Sequence, residues 1–233
     1  ILGRARTGAA AIESIESEIQ RMAPLPLYDL TELQRHANRL FGFSAQQTLD
    51  VAQALYERHK LISYPRTDSR HLSQDVAATL PRIVKAIAAP YQAHLAPGTG
   101  ERPLGRRFVD DAKLTDHHAI IPTATSPEKA GLPAEERRIY DLVCRRLLSA
   151  WHDDHIWSVT TVITSIRNGD IVDRYHTSGT AVRQVGWKVL EITAARKPGR
   201  GKDGGEEQKA EQVLPAGLKK DQPLEVVEVE AIR

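Results

Sequence analysis

A single cysteine, Cys144, stands in 233 residues, which excludes an internal disulfide and every zinc site built from several cysteines. A reducing, cytoplasmic setting fits that usage. No apolar run approaches the ~20 residues needed to cross a bilayer, and the N-terminus has no signal-peptide pattern, so no membrane partner is expected. Nor does one sign of charge dominate. Thirty-two Lys and Arg stand against thirty Asp and Glu, a net +2. A general polycation is excluded, and any contact with DNA must come from local clustering. The initiator methionine is missing too, and the pattern stops mid-way at Arg233, as expected of an excised segment. What is there is a hydrophobic content of 41%, ordinary for a globular chain, and length for one large or two smaller domains.

The most informative stretch runs from Leu61 to Leu72, LISYPRTDSRHL, which is too polar for a core strand. Pro65 fixes its own φ and biases Tyr64 toward extended geometry, so Tyr64 and Arg66, two apart, project to one side. A free phenol, with a pKa of about 10, is a poor nucleophile at neutral pH unless its phenolate is stabilised. A guanidinium can do that, and it can also clamp a phosphate through paired N–H donors. The arrangement suits attack on a phosphodiester. It also suits a plainer arrangement, a tyrosine packed at a strand end with Arg66 paired to Asp68 on a solvated turn. A local basic cluster of Arg58, His59, Lys60, Arg66, Arg70 and His71 surrounds the tyrosine, either as a DNA contact or as a solvated face.

The longer string YPRTDSRHL resembles the active-site segment of type IA DNA topoisomerases, and its Tyr-Pro-Arg-Thr-Asp-Ser form resembles the topoisomerase III branch. The resemblance implies that Tyr64 is the nucleophile that becomes linked to a DNA 5′ phosphate and that Arg66 is its partner at the scissile phosphate. Asp68 is then a supporting residue, and Lys60 and Arg70 are candidate DNA contacts.

Around this motif the periodicity can be read element by element. Residues 1–23 fit helix or strand by pattern; the family has a strand here, which favours strand. Thr31 with Gln34 predicts a capping box for a helix with Leu33, Ala37 and Leu40 inward, ended by Gly42. Ser44 with Gln47 repeats the signal for a second helix to about Arg58, carrying Leu49, Ala52, Leu55 and Tyr56 on its inner face. The pair reads as a helical hairpin or as a helix-turn-helix element. The stretches YDLTELQ and GFSAQQTLDVAQALYE are shared with the type IA family. Ser73 predicts the cap of a helix from about Gln74 to Ala89. A further helix is expected from Glu135 to about Trp151, with Arg137, Arg138, Arg145 and Arg146 pointing outward. Beyond His155 the texture turns β: Ile156 to Ile166, a turn at Asn168-Gly169, Ile171 to Thr177, Ala181 to Ile192 and Leu224 to Ile232. Residues 197–211, rich in Gly, Lys and Glu, are expected to form a mobile loop.

One more run, Lys113 to Thr123, KLTDHHAIIPT, places Asp116, His117 and His118 side by side. Consecutive residues point in different directions and no third ligand is evident, so a metal site is the weaker alternative to a structural or phosphate-contacting role. The run resembles the histidine segment that type IA enzymes place beside their tyrosine. Aligned so, His117 is the candidate for phosphate contact or proton transfer, while His118 departs from the glutamate found in one branch.

The expected fold is α+β: a mainly helical nucleophile-bearing domain over residues 24–151, with a helix-turn-helix-like element, inserted into an antiparallel β domain formed by 1–23 and 152–233. The resemblance equates these with domains III and II of the type IA enzymes. It implies ATP-independent cleavage and religation of one strand of single-stranded DNA, relaxing or decatenating DNA. It also implies Mg2+ held by ligands outside this segment, with no metal ligand within it, and a helicase as a further partner. The segment alone is expected to be inactive. A non-catalytic helix-turn-helix DNA-binding module is the alternative.

Overall fold

The structure, a computed structural model, describes residues 2–114, 116–192, 214, 215, 217–228 and 230. It divides into two compact units, each described here by itself. The first collects the described residues of 1–22, 156–184 and 201–233; the second, those of 23–155 and 185–200. The architecture is α+β, as expected, with a four-stranded sheet and several helices.

In the first unit a short helix, α1 (Leu2–Thr7), leads into a long strand, β1 (Ala9–Met22). The hairpin β2 (His155–Asn168) and β3 (Ile171–Gln184) lies beside it, and β4 (Pro223–Leu224) pairs antiparallel with Ala10 and Ala11, giving the order β3-β2-β1-β4. The hairpin loop is Gly169-Asp170, one position later than the Asn168-Gly169 expectation, because Asn168 pairs with Ile171. Only the first loop residue has positive φ, at 60° for Gly169, the pattern that a two-residue type II′ turn requires. β3 runs without a break through Gln184, and the chain then forms a 3-10 turn at Gly186–Leu190, so the strand expected over 181–192 is corrected in its second half. The expected mobile loop at 197–211 lies outside the described residues. The strand expected over 224–232 is corrected: only Leu224 is in β4, residues 225–228 and 230 are not in a strand, and 229, 231 and 232 lie outside the described residues. Among the described residues of this unit the buried apolar side chains are few: Ala5, Ala10 and Ile166 cluster with Tyr175, Leu224 and Val226 packed against them, and Ile12 and Val162 are buried as well. Arg4 is clamped to Asp173 through two hydrogen bonds, Nε to Oδ2 and Nη2 to Oδ1, both 3.1 Å.

The second unit holds α2 (Leu30–Phe41), α3 (Ala45–Glu57), α4 (Gln74–Ala77), α5 (Leu80–Ile87) and α6 (Ala134–Ser149). The N-cap of α2 is Asp29, whose carboxylate accepts from the Glu32 amide at 2.6 Å. Thr31 therefore sits inside the helix rather than capping it. Ser44 caps α3 as expected, its hydroxyl accepting from the Gln47 amide at 3.0 Å. Ser73 also caps, but the helix expected from 74 to 89 is split, since Pro81 opens a fresh helix at its first turn. The buried faces of these helices form one continuous core reaching from Leu27 to Leu190.

Burial in α6 departs from the expected pattern. Arg146 is 6% exposed, not outward-facing. Its Nη1 donates to the Pro26 carbonyl at 2.9 Å, and its guanidinium carbon lies 4.0 Å from the centre of the Tyr28 ring, a cation–π contact. The Tyr28 hydroxyl meets His36 Nδ1, with Arg146 Nη2 3.4 Å from the same nitrogen. Two donors converge there, so Nδ1 is the bare, accepting nitrogen of a neutral imidazole. Burial, with Arg146 and Arg39 nearby, pushes the His36 pKa down to about 3. The other three arginines of α6 are also engaged: Arg145 with Asp141 and the Leu190 carbonyl, Arg137 with the Leu132 carbonyl, and Arg138 over the Phe41 ring.

Candidate active site

The site grows out of the C-terminal end of α3. Its last turn closes with the Arg58 amide donating to Ala54 O, after which the chain turns sharply at Lys60, a non-glycine residue with φ 56°. That costly conformation is held from outside, the Thr123 hydroxyl donating to Lys60 O at 2.6 Å. His59 Nε2, at the same corner, lies 2.8 Å from Glu136 Oε2 in the first turn of α6. Leu61 and Ile62 then plunge into the core at 0% and 1% exposure.

From there the motif is laced to the segment 117–123, distant in sequence. Ile62 forms a β-bridge with Pro122. The Ser63 amide donates to Ile121 O at 2.8 Å, the Ile121 amide returns a bond to Ser63 Oγ at 3.0 Å, and Ser63 Oγ donates to Ala119 O at 3.1 Å. Further on, Thr67 Oγ1 donates to His117 O at 3.3 Å, and the Thr67 carbonyl accepts from the Leu30 amide. Two buried hydroxyls organise the loop from within: the Ser69 amide donates to Thr67 Oγ1 and the His71 amide to Ser69 Oγ. A polar loop thus stays ordered because nearly every turn of its backbone meets a hydroxyl or a carbonyl.

This lacing brings together two of the residues singled out in the sequence. The Tyr64 and His117 rings have centroids 4.5 Å apart at 48°. On another side Tyr64 meets Tyr56 of α3, centroids 5.5 Å apart and nearly perpendicular at 77°. Arg66 is exposed, and its guanidinium reaches Gln53, one turn before Tyr56 on the same face of α3. With the amide oriented so that its oxygen faces the cation, Gln53 accepts from Nη2 at 3.1 Å and from Nε at 3.3 Å. Lys60 is exposed and extends its ammonium to 5.6 Å from the Tyr56 ring centre. Asp68 is exposed and has an interaction of its own. Arg70 is turned inward instead: its Nε donates to Leu27 O at 3.1 Å and lies 4.0 Å from Asp29 Oδ2. His118 Nδ1 donates at 2.8 Å to Ala119 O, the carbonyl that also accepts from Ser63 Oγ, and burial holds its pKa below the usual imidazole value.

Gln53 and Tyr56 were not recognised as site residues from sequence, Tyr56 being read as part of the inner helix face. Their i, i+3 spacing on α3 was the available signal, since such residues share a face. Among the described residues no group of three or more His, Cys, Asp or Glu is placed to hold a metal ion. No helix among them is long and apolar enough to cross a membrane.

A sequence profile described as DNA topoisomerase matches residues 2–232. The chain belongs to the DNA topoisomerase family. Among its relatives, DNA topoisomerase 3 of Bacillus cereus (strain ZK / E33L) is 39% identical over 192 residues, 82% of this chain and 26% of the relative. DNA topoisomerase 3 of Shouchella clausii is 37% identical over 217 residues, 91% of this chain and 28% of the relative. These relatives and the YPRTDS motif place the chain in the type IA topoisomerase III branch. In fold it is similar to full-length topoisomerase I from Thermotoga maritima, with a TM-score of 0.56 and 22% identity, covering 87% of this chain and 33% of that one. The topoisomerase segment described here spans about a quarter of the length of the curated relatives it matches, 26% and 28% for the two above.

Proposed function

We propose that this chain carries the nucleophile of an enzyme that cleaves and religates one strand of single-stranded DNA without ATP. The Tyr64 oxygen attacks a backbone phosphorus, an O–P bond forms to the 5′ phosphate, and the bond to the 3′ oxygen breaks. The phenol loses its proton and the leaving 3′ oxygen gains one, so atoms and charge balance. After another strand has passed, the 3′ hydroxyl reverses the exchange. The bonds exchanged are close in energy, which is why no nucleotide hydrolysis is needed. Arg66 would clamp the non-bridging oxygens, on which charge builds in the transition state. His117 would contact the phosphate or relay the proton. Lys60 would add positive charge at the entrance, and Asp68 would help to orient Arg66. Arg70, engaged with Leu27 and Asp29, is better read as a brace for the loop than as a direct DNA contact.

The single observation that carries this reading is the contact of the Tyr64 ring with His117, across a long gap in sequence. The family resemblance also implies a magnesium ion. The described residues do not fit one, because no group of three or more His, Cys, Asp or Glu among them is placed to hold a metal ion. With about three quarters of the relatives' length outside this chain, the isolated segment is expected to bind single strands weakly and to relax nothing.

The test is covalent trapping in a full-length protein containing this chain, with end-labelled single-stranded DNA, magnesium and a denaturing quench. A DNA-linked band that disappears in Tyr64→Phe supports the reading. A band that persists in that variant overturns it and returns Tyr64 to a packing role.

A further inference from the structure

We propose that Tyr56 is a positioning residue that sets the orientation of the Tyr64 ring, and that Lys60 in turn steadies Tyr56. This rests on reading Tyr64 as the nucleophile. A tyrosine side chain turns about two torsions, and an in-line attack tolerates little error; a displacement of about 1 Å at a reacting group can cost roughly 100-fold in rate. Something must therefore hold the ring of a half-exposed nucleophile, and the hydrogen bonds that secure the loop beside it act on the backbone and hydroxyls of Ser63 and Thr67.

Tyr56 has the geometry for that work. Its ring is nearly perpendicular to that of Tyr64, at 77° and 5.5 Å, the edge-to-face arrangement in which the positive rim of one ring meets the negative face of the other. Such a contact has an orientation preference that an aliphatic neighbour lacks. Tyr56 is itself anchored, being carried by a regular helix whose next residue on the core side, Leu55, is fully buried. The Lys60 ammonium, 5.6 Å from the Tyr56 ring centre, is placed by the left-handed backbone at Lys60 and by the Thr123 bond to its carbonyl. Helix, cation and corner thus act on one ring, and that ring acts on the nucleophile.

The experiment uses the full-length protein and compares Tyr56→Leu, Tyr56→Phe and Tyr64→Phe. Single-turnover formation of the covalent adduct, single-strand affinity, thermal midpoint and the resonances of a labelled Tyr64 ring are measured. Tyr56→Leu is expected to slow adduct formation roughly tenfold with affinity and midpoint preserved, and to move the Tyr64 ring resonances. Tyr56→Phe, which keeps the ring and removes only the hydroxyl, should restore most of the rate. Adduct formation by Tyr56→Leu at the parent rate overturns the proposal, and so does failure of Tyr56→Phe to rescue. If Tyr64→Phe still forms the adduct, the underlying reading of the nucleophile fails instead, so the two failures are distinguishable.

Discussion

The helical unit and the sheet unit solve opposite problems with the same chain. In the helical unit one continuous core runs beneath the motif loop, and the loop's flanks, Leu61, Ile62 and Leu72, are among its most buried residues. In the sheet unit the buried apolar side chains among the described residues are few, Ala5, Ala10, Ile12, Val162 and Ile166, and strands of fourteen residues rest largely on backbone pairing and on pairs such as Arg4 with Asp173. Site geometry needs side chains locked by packing behind them, and only the helical unit offers that. The chemistry-bearing residues are found where the core is deep.

The contrast breaks first if cavities in the two units have equal consequences. Leu61→Ala, in the deep core, should cost about 4 kcal/mol and should also reduce Tyr64 adduct formation, because it loosens the segment three residues before Tyr64. Ile166→Ala, in the sparse core, should cost about 2 kcal/mol, where neighbours can relax into the space, and should leave adduct chemistry intact. Denaturant melts paired with trapping assays read both; equal loss of adduct in the two variants would erase the distinction.

A second prediction sharpens it through pH. His36 stays neutral in the folded helical unit, with a pKa of about 3, while in the unfolded chain it titrates near its ordinary 6.5. Between those values the unfolded chain binds a proton that the fold refuses, so stability is full above about 6.5 and falls as the pH drops. Between pH 6.5 and 5, before most carboxylates titrate, the loss should be about 2 kcal/mol. The lowered values of His118, chiefly from burial, and of His71, from partial desolvation with Lys113 nearby, have the same sign and add to it. His36→Gln should flatten this slope; an unchanged slope in melts recorded at several pH values would count against the buried neutral imidazole.

The smallest effect concerns Gln53. Gln53→Ala should release Arg66 and slow cleavage roughly fivefold, an alignment loss of about 1 kcal/mol, with the melting midpoint unmoved. Gln53→Glu keeps an acceptor and should recover most of the rate in the same single-turnover assay.

Much of this was readable beforehand where the determining forces are local. Ser44 and Ser73 announce their helices through a hydroxyl within three residues of the amide it accepts from. Thr31 misled because Asp29, two residues earlier, is a competing acceptor that reaches the Glu32 amide. Arg146 could not be read as buried, since the groups that compensate its charge, Pro26 O and the Tyr28 ring, arrive from about 120 residues away. The meeting of His117 with Tyr64 was of the same long-range kind, and only the family resemblance anticipated it. The pairing of Gln53 with Arg66 spans just thirteen positions, yet it depends on how the Lys60 corner reverses the chain, and no local propensity encodes that turn.

The rungs that join Ser63 to Ile121 and Thr67 to His117 flank Tyr64 on both sides. Tyr64 and His117 therefore share one splint. Should the protein open and shut around a passing strand, the phenol and the imidazole would travel as a single cassette, their spacing unchanged. On the proposed reaction, re-closure would then reduce to docking that cassette against a broken end rather than rebuilding it at every turnover.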